Sequence, residues 1–180
     1  MKPLLDGHLA DLRKSGLSDA QIAACGFYST TLPSEIGSLI NWKSGCERFG
    51  PCLVIPYLDS KGRHSGYNRL KPDRPRLNDH GKTNKYEAPL GIPYRAYFPP
   101  GCTLVALPIP STPLLFTEGE KKAAKADQEG FPCVGLAGVE CWSKKRDTDS
   151  DGKKVGVREL LDELAVVLIG LGRSPEGPRR

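Results

Sequence analysis

The chain has 180 residues, of which 38% are hydrophobic and 26% charged, and its formal net charge is +5. This size and composition are typical of one medium domain or two small subdomains, and they exclude an intrinsically disordered chain. No apolar run approaches the ~20 residues of a transmembrane helix, and the start of the sequence lacks a signal peptide, so we expect a cytoplasmic protein without membrane contact.

The first fifty residues predict short helices and irregular structure. Residues 8–28 indicate two helices, the first ended by Gly16 and the second capped by Ser18, whose hydroxyl can accept from an exposed amide. A third short helix is predicted around residues 34–39. Because the second helix carries no basic residue, we favour a packing or docking role over a DNA-reading helix-turn-helix.

A β-hairpin is predicted next. Residues 52–57 are apolar, residues 59–62 are turn formers, and residues 66–70 alternate in the manner of a returning strand. A long polar loop is expected to follow, and then two short strand-like pieces at residues 85–89 and 96–100.

Positive charge is concentrated in and after this hairpin. Nine basic and three acidic residues lie between positions 61 and 95, an excess of six against +5 for the whole chain. Such a stretch attracts phosphate backbones, and the interleaved Tyr67 and Tyr86 favour nucleic acid, although a solvated hairpin surface is the simpler alternative. The candidate contact residues are Arg69, Lys71, Arg74, Arg76, Lys82, Lys85 and Tyr86.

Six cysteines are scattered along the chain without a Cys-x-x-Cys pair. In a chain without an export signal they are typical of reduced, buried small residues. Cys46 and Cys52 with His64 and His80 suggest a zinc site, but their spacing matches no common ligand pattern. We therefore predict that these cysteines contribute to ordinary packing.

From about residue 104 the sequence alternates between strands and helices. The predicted elements are strands at 114–117, 133–136 and 165–169 and helices over 119–128 and 157–164. Strands that are apolar throughout indicate a parallel sheet with covered faces, so the first strand is expected to be buried. Residues 173–180 are expected to form a disordered tail.

These elements predict an α/β protein in which a small N-terminal α+β region with a β-hairpin precedes a parallel βαβαβ half. The expected segments are a helical and irregular part at 1–50, a basic β-rich subdomain at 51–103, the parallel half at 104–172 and the tail at 173–180.

Glu118 is the leading candidate for chemistry. It stands between an apolar strand and a helix, and ligands of parallel α/β sheets bind at the carboxyl ends of the strands. Gly119 permits a close turn there. A carboxylate in this place can act as a general acid or base or bind a divalent metal, and the simpler alternative is an acid favoured by the helix dipole.

The motif Phe-Thr-Glu-Gly-Glu-Lys-Lys-Ala at residues 116–123, followed by Gly-Phe-Pro-Cys-Val-Gly-Leu-Ala-Gly-Val at residues 130–139, resembles the first half of a Toprim domain. The resemblance is strongest to plasmid and phage replication proteins, which are often joined to a helicase. Residues 55–57, 59–62, 69–70 and 85–89 are similar to the N-terminal half of a DnaG-type primase catalytic core.

This resemblance implies a primase-like nucleotidyltransferase fold with Glu118 as the catalytic acid. It implies that Gly119, Lys121 and Lys122 form the supporting turn. By the same match, Arg69 and Lys85 would line the groove for template and nucleotide.

One motif of that family is missing. A complete Toprim domain carries Asp-x-Asp after the next strand, where the aspartates hold Mg²⁺, but here Gly170 and Gly172 stand at those positions. We therefore expect no firmly bound cofactor and at most weak Mg²⁺ binding. Asp147, Asp149 and Asp151 match the opening of an EF-hand loop, but Arg158 replaces its bidentate acid, so a solvated turn is predicted.

Several functional hypotheses stay open. The favoured one is a nucleic-acid-binding, primase-like protein of a plasmid, phage or other mobile element, with single-stranded DNA or RNA as its partner. The alternatives are an active primase fragment using Glu118, a module that docks on a helicase or on another replication or defence complex, and an inactive structural fragment. The sequence has no P-loop and no evident nucleophile partner for its histidines (His8, His64 and His80), so an ATPase and a serine or cysteine hydrolase are unsupported.

Overall fold

The computed structural model describes residues 2–59, 61–78, 81–102, 113–138 and 140–164. It is a mixed α/β structure with a three-stranded antiparallel sheet and a two-stranded parallel sheet. The chain divides into two compact units. The first unit comprises residues 1–58 and 64–92, and the second comprises residues 59–63 and 93–180.

The first unit contains short helices and the antiparallel sheet. Its elements are α1 (Asp6–Lys14), α2 (Asp19–Ala24), β1 (Tyr28–Thr30), α3 (Pro33–Ile40), a 3-10 helix (Cys46–Phe49), β2 (Cys52–Leu58) and β3 (His64–Pro72). The three predicted helices and the hairpin are confirmed. Gly16 follows α1 with a φ of +82°, and Ser18 Oγ accepts from the backbone N–H of Gln21 at 3.2 Å.

β2 is the central strand of the antiparallel sheet, with β1 on one side and β3 on the other. Its first six residues are all buried, as an uninterrupted apolar strand predicts. Cys52 and Val54 pack with Leu70 of β3 and with Ile36 and Ile40 of α3. This cluster fixes α3 against the sheet.

The cysteines contribute to packing, as predicted. Cys46 and Cys52 both belong to the core cluster of the first unit and are free thiols. Of the other four, Cys141 alone is partly exposed. His80, the fourth member of the zinc hypothesis, lies outside the described residues.

The second unit is built on a βαβ arrangement of β4 (Leu115–Glu118), α4 (Glu120–Gln128) and β5 (Cys133–Leu136). The two strands are parallel, which confirms the predicted strand–helix–strand pattern. Tyr97 forms an antiparallel bridge with Gly135 on β5. A Cβ at Gly135 would lie 3.2 Å from that of Ala123 on α4, so this glycine permits close packing of the helix on the strand.

The predicted burial of β4 is wrong. Leu115 is 44% exposed and Phe116 is 46% exposed. Among the described residues β4 has one neighbouring strand, β5, so the sheet does not enclose these side chains. The core of this unit instead gathers Ala96, Phe98, Cys102, Val134, Leu161 and Leu164.

The predicted helix over residues 157–164 is also wrong in its first part. Within the predicted range, helical conformation is confined to residues 162–164. The backbone N–H of Lys144 donates to Glu159 O at 2.8 Å, and that of Leu161 donates to Trp142 O at 3.1 Å. These hydrogen bonds between distant segments use backbone groups that would otherwise form the hydrogen bonds of a helix.

The predicted third strand at 165–169, the positions of Gly170 and Gly172, and the tail at 173–180 lie outside the described residues.

No helix in the described part of the chain has the length and apolar character needed to cross a bilayer.

Candidate nucleic-acid interface and the Glu118 turn

The seven residues proposed for nucleic-acid contact all lie in the first unit, on β3 and on the chain that follows it. The structure separates their cations into two groups. Arg69, Lys71 and Arg76 interact with other side chains of the protein. Arg74, Lys82 and Lys85 are exposed and make no ion pair with any described residue.

Arg69 is a buried residue of β3, with 7% of its surface exposed. Its guanidinium lies 4.8 Å from the centre of the Tyr86 ring, within the range of a cation–π contact. Lys71, two residues further along the same strand, donates to Asp11 of α1 at 2.8 Å. Both cations therefore hold structural elements together.

Arg76 forms a two-pronged ion pair with Glu87. Its Nε donates to Glu87 Oε1 at 2.8 Å and its Nη2 donates to Oε2 at 3.2 Å. Asn84 Nδ2 also donates to Oε1, at 2.9 Å. Glu87 is 3% exposed, and its backbone exchanges two hydrogen bonds with Leu70 of β3. A buried carboxylate requires such partners, so Arg76 stabilises this part of the fold.

The exposed cations Arg74, Lys82 and Lys85 are carried by the loop after β3. Arg74 lies alongside Gly50, where its Nε would be 3.4 Å from an added Cβ. Lys82 follows a turn in which its backbone N–H donates to Asn78 Oδ1 at 2.9 Å. Lys85 directly precedes the half-buried Tyr86. Three exposed positive side chains and one aromatic ring thus lie within thirteen consecutive residues of the loop.

Sequence analysis missed an aromatic and cationic cluster around Trp42. The guanidinium groups of Arg48 and Arg76 lie 4.9 Å and 5.5 Å from the centre of the Trp42 ring. The Phe49 ring lies 5.4 Å from that of Trp42, centre to centre. Trp42 stands in a Gly- and Ser-rich stretch without periodicity, so no local pattern pointed to these contacts.

His8 has partners that sequence analysis did not foresee. Its Nδ1 lies 2.7 Å from Ser29 Oγ and its Nε2 lies 3.0 Å from Asp73 Oδ1. The sequence showed no evident nucleophile partner for the histidines, and the structure places the Ser29 hydroxyl beside His8. Ser29 Oγ also accepts from the backbone N–H of Leu5 at 2.8 Å, so this hydroxyl links β1 to the start of α1, and His8 links α1 to the residue after β3. We interpret the arrangement as structural.

Glu118 is the last residue of β4 and its side chain is exposed. Gly119 follows with a φ of +95°, which favours glycine, and its N–H donates to Leu136 O on β5 at 2.8 Å. Lys121 is half-buried and Lys122 is exposed on the first turn of α4. The turn thus presents one carboxylate at the carboxyl end of a parallel strand.

In the described part of the chain, no group of three or more His, Cys, Asp or Glu side chains is placed to hold a metal ion. The acids at residues 147–151 form a turn, as predicted. Asp149 Oδ1 accepts from the backbone N–H groups of Asp151 at 3.1 Å and Lys153 at 2.8 Å, so the carboxylate is used in closing the turn.

Residues 106–173 match the model of a family described as Domain of unknown function (DUF3854). The matched range includes β4, Glu118, α4 and β5, so the similarity concerns the parallel half of the chain. No curated protein and no solved structure matches this chain.

Proposed function

We propose that this protein binds single-stranded nucleic acid through the first unit. The observation that carries the proposal is the set of exposed cations at Arg74, Lys82 and Lys85 on the loop after β3, which form no ion pair with any described residue. A cation without an intramolecular partner can neutralise a phosphate without first breaking an ion pair. On a surface where each cation is paired with a carboxylate, binding a phosphate would first require breaking that ion pair.

The paired cations act in support of this surface. Arg69 holds the Tyr86 ring, and Arg76 holds Glu87 and, through it, the chain on either side of Tyr86. Tyr86 is half-buried, so part of its ring is accessible for stacking on a base. Arg69, which sequence resemblance made a leading contact candidate, serves in this proposal as a positioning residue because it is buried.

A second proposal concerns the other unit. We propose that β4, α4 and β5 form part of a Toprim-like fold, and that the protein is a primase-like member of the replication proteins of mobile elements. The exposed Glu118 at the carboxyl end of a parallel strand supports this proposal. Because glycines occupy both Asp-x-Asp positions, we favour nucleic-acid binding over nucleotidyl transfer for this chain.

The binding proposal is tested by the fluorescence anisotropy of a labelled single-stranded oligonucleotide. We expect the Lys82→Glu/Lys85→Glu protein to bind at least about tenfold more weakly than the original, since two phosphate contacts become repulsive. The matched control is Lys14→Glu, which reverses an exposed lysine of α1 that has no ion-pair partner among the described residues. Equal affinity of the double variant and the original would refute the proposed surface.

The catalytic alternative is tested by magnesium-dependent primer synthesis on a single-stranded template. We expect no product, since one carboxylate cannot hold two metal ions. Robust synthesis that disappears in Glu118→Gln would establish the active-primase alternative instead. The oligonucleotide affinity of Glu118→Gln serves as the control for folding.

A further inference from the structure

The first unit carries a groove of about 620 Å³ that sequence analysis did not identify. Its lining comes from one continuous stretch, residues 33–47, and includes Ser34, Trp42, Lys43, Ser44 and Glu47. The volume is within the range of small-molecule sites in proteins. The groove therefore has room for a ligand the size of a nucleotide.

The turn at the end of α3 gives the groove a defined shape. Asn41 has a φ of +56°, and its side chain donates to Leu90 O at 3.3 Å. The backbone N–H of Trp42 donates to Gly37 O at 2.9 Å. At Gly37 a Cβ would lie 2.7 Å from Trp42 O, so only glycine permits this approach. Trp42 is thereby held against the core of the unit.

The polar groups of the groove define the chemistry of its ligand. Lys43 is exposed, and its ammonium has no partner among the described residues. It can attract an anion, and the nearby hydroxyls of Ser34 and Ser44 can donate to one. Trp42 also lines the groove, and its indole N–H can donate a hydrogen bond to a base. Glu47 accepts hydrogen bonds only, which suits an amino or hydroxyl group, and its negative charge disfavours a ligand made of phosphate alone.

We propose that this groove binds a nucleoside phosphate, with the base beside Trp42 and the phosphate beside Lys43. The nucleotide has two sources, a free nucleoside triphosphate or one residue of a bound single strand, and in the second case the inference rests on the proposed function.

Trp42 itself provides the test, because the chain has only two tryptophans. In the Trp142→Phe protein all indole emission comes from Trp42. This protein is titrated separately with ATP, with an oligothymidylate of about ten residues and with inorganic triphosphate. We expect ATP or the oligothymidylate to quench the emission and triphosphate to leave it unchanged.

The cation is tested in the same background. Lys43→Ala should lower the affinity for whichever ligand quenches the emission about tenfold, as expected for the loss of one charge-assisted phosphate contact. Lys14→Ala should leave its affinity unchanged. The inference is overturned if neither nucleotide ligand quenches, if triphosphate quenches equally, or if Lys43→Ala binds as tightly as its parent.

The two proposals fail separately. Oligonucleotide binding by anisotropy without any change in Trp42 emission would overturn the groove and leave the basic loop standing. Quenching by ATP in a protein that binds no oligonucleotide would support the groove and refute nucleic-acid binding. Quenching by the oligothymidylate alone assigns the groove to a residue of the bound strand.

Discussion

At the scale of single residues, burial decides the chemistry of the cysteines. Cys52 and Cys102 are fully buried, and burial raises the pKa of each thiol to about 12. Because the thiolate is the reactive form, both thiols should be inert at neutral pH. Cys141 differs from them in being partly exposed.

We therefore expect Cys141 to react first when the native protein is treated with a thiol reagent at pH 8. Cys52 and Cys102 should react only after unfolding in urea, which removes the burial that keeps them protonated. Peptide mass spectrometry after timed alkylation identifies the modified residues. Cys141→Ser should abolish the fast phase, and rapid alkylation of Cys52 or Cys102 in the folded protein would contradict the described packing.

At the scale of elements, two helical glycines offer a matched comparison. Gly37 of α3 approaches Trp42 O so closely that an added Cβ would clash at 2.7 Å, whereas a Cβ at Gly7 of α1 meets nothing within 4 Å. Gly37→Ala should lower the free energy of unfolding by about 1–3 kcal/mol through overpacking. Gly7→Ala should raise it by up to about 1 kcal/mol, because alanine loses less backbone entropy.

Urea denaturation of both variants, followed by Trp42 emission in the Trp142→Phe background, measures this difference. If Gly37→Ala is as stable as Gly7→Ala, the turn after α3 does not pack as described. The proposed shape of the groove would then lose its support.

The elements that sequence analysis predicted are those set by local patterns. The apolar run of β2, the turn formers after it and the strand–Gly–helix pattern at Glu118 each depend on neighbouring residues, and the structure contains all three. The first part of the predicted helix over 157–164 failed because residues 159–161 bond to 142–144, a pairing that no local pattern encodes. β1 was missed because it is only three residues long.

The candidate site was predictable in composition but not in detail. The sequence showed a surplus of basic residues, but it did not show which of them form ion pairs within the protein. Arg76 pairs with Glu87 eleven residues away, and Lys71 pairs with Asp11 sixty residues away. Which cations remain exposed follows from these tertiary contacts. The same holds for Trp42, whose neighbours Arg48 and Arg76 come together only in the folded unit.

At the scale of the whole molecule, the two units carry different kinds of candidate site. The first unit holds the exposed cations that form no ion pair with any described residue, the Trp42 cluster and the groove. Together they favour single-stranded nucleic acid, which carries both phosphates and bases, as the proposed partner. The second presents a single exposed carboxylate on a βαβ turn. We therefore expect the first unit to be the part that binds, and we expect its affinity for the nucleic acid to depend on salt concentration.

The salt dependence of oligonucleotide binding tests that claim most directly. For a single strand, each neutralised phosphate contributes about −0.7 to the slope of log K against log salt concentration. We predict a clearly negative slope for the original protein and a slope shallower by about 1.4 for Lys82→Gln/Lys85→Gln, which removes two contacts. An affinity that does not respond to salt, or the same slope in both proteins, would contradict the account.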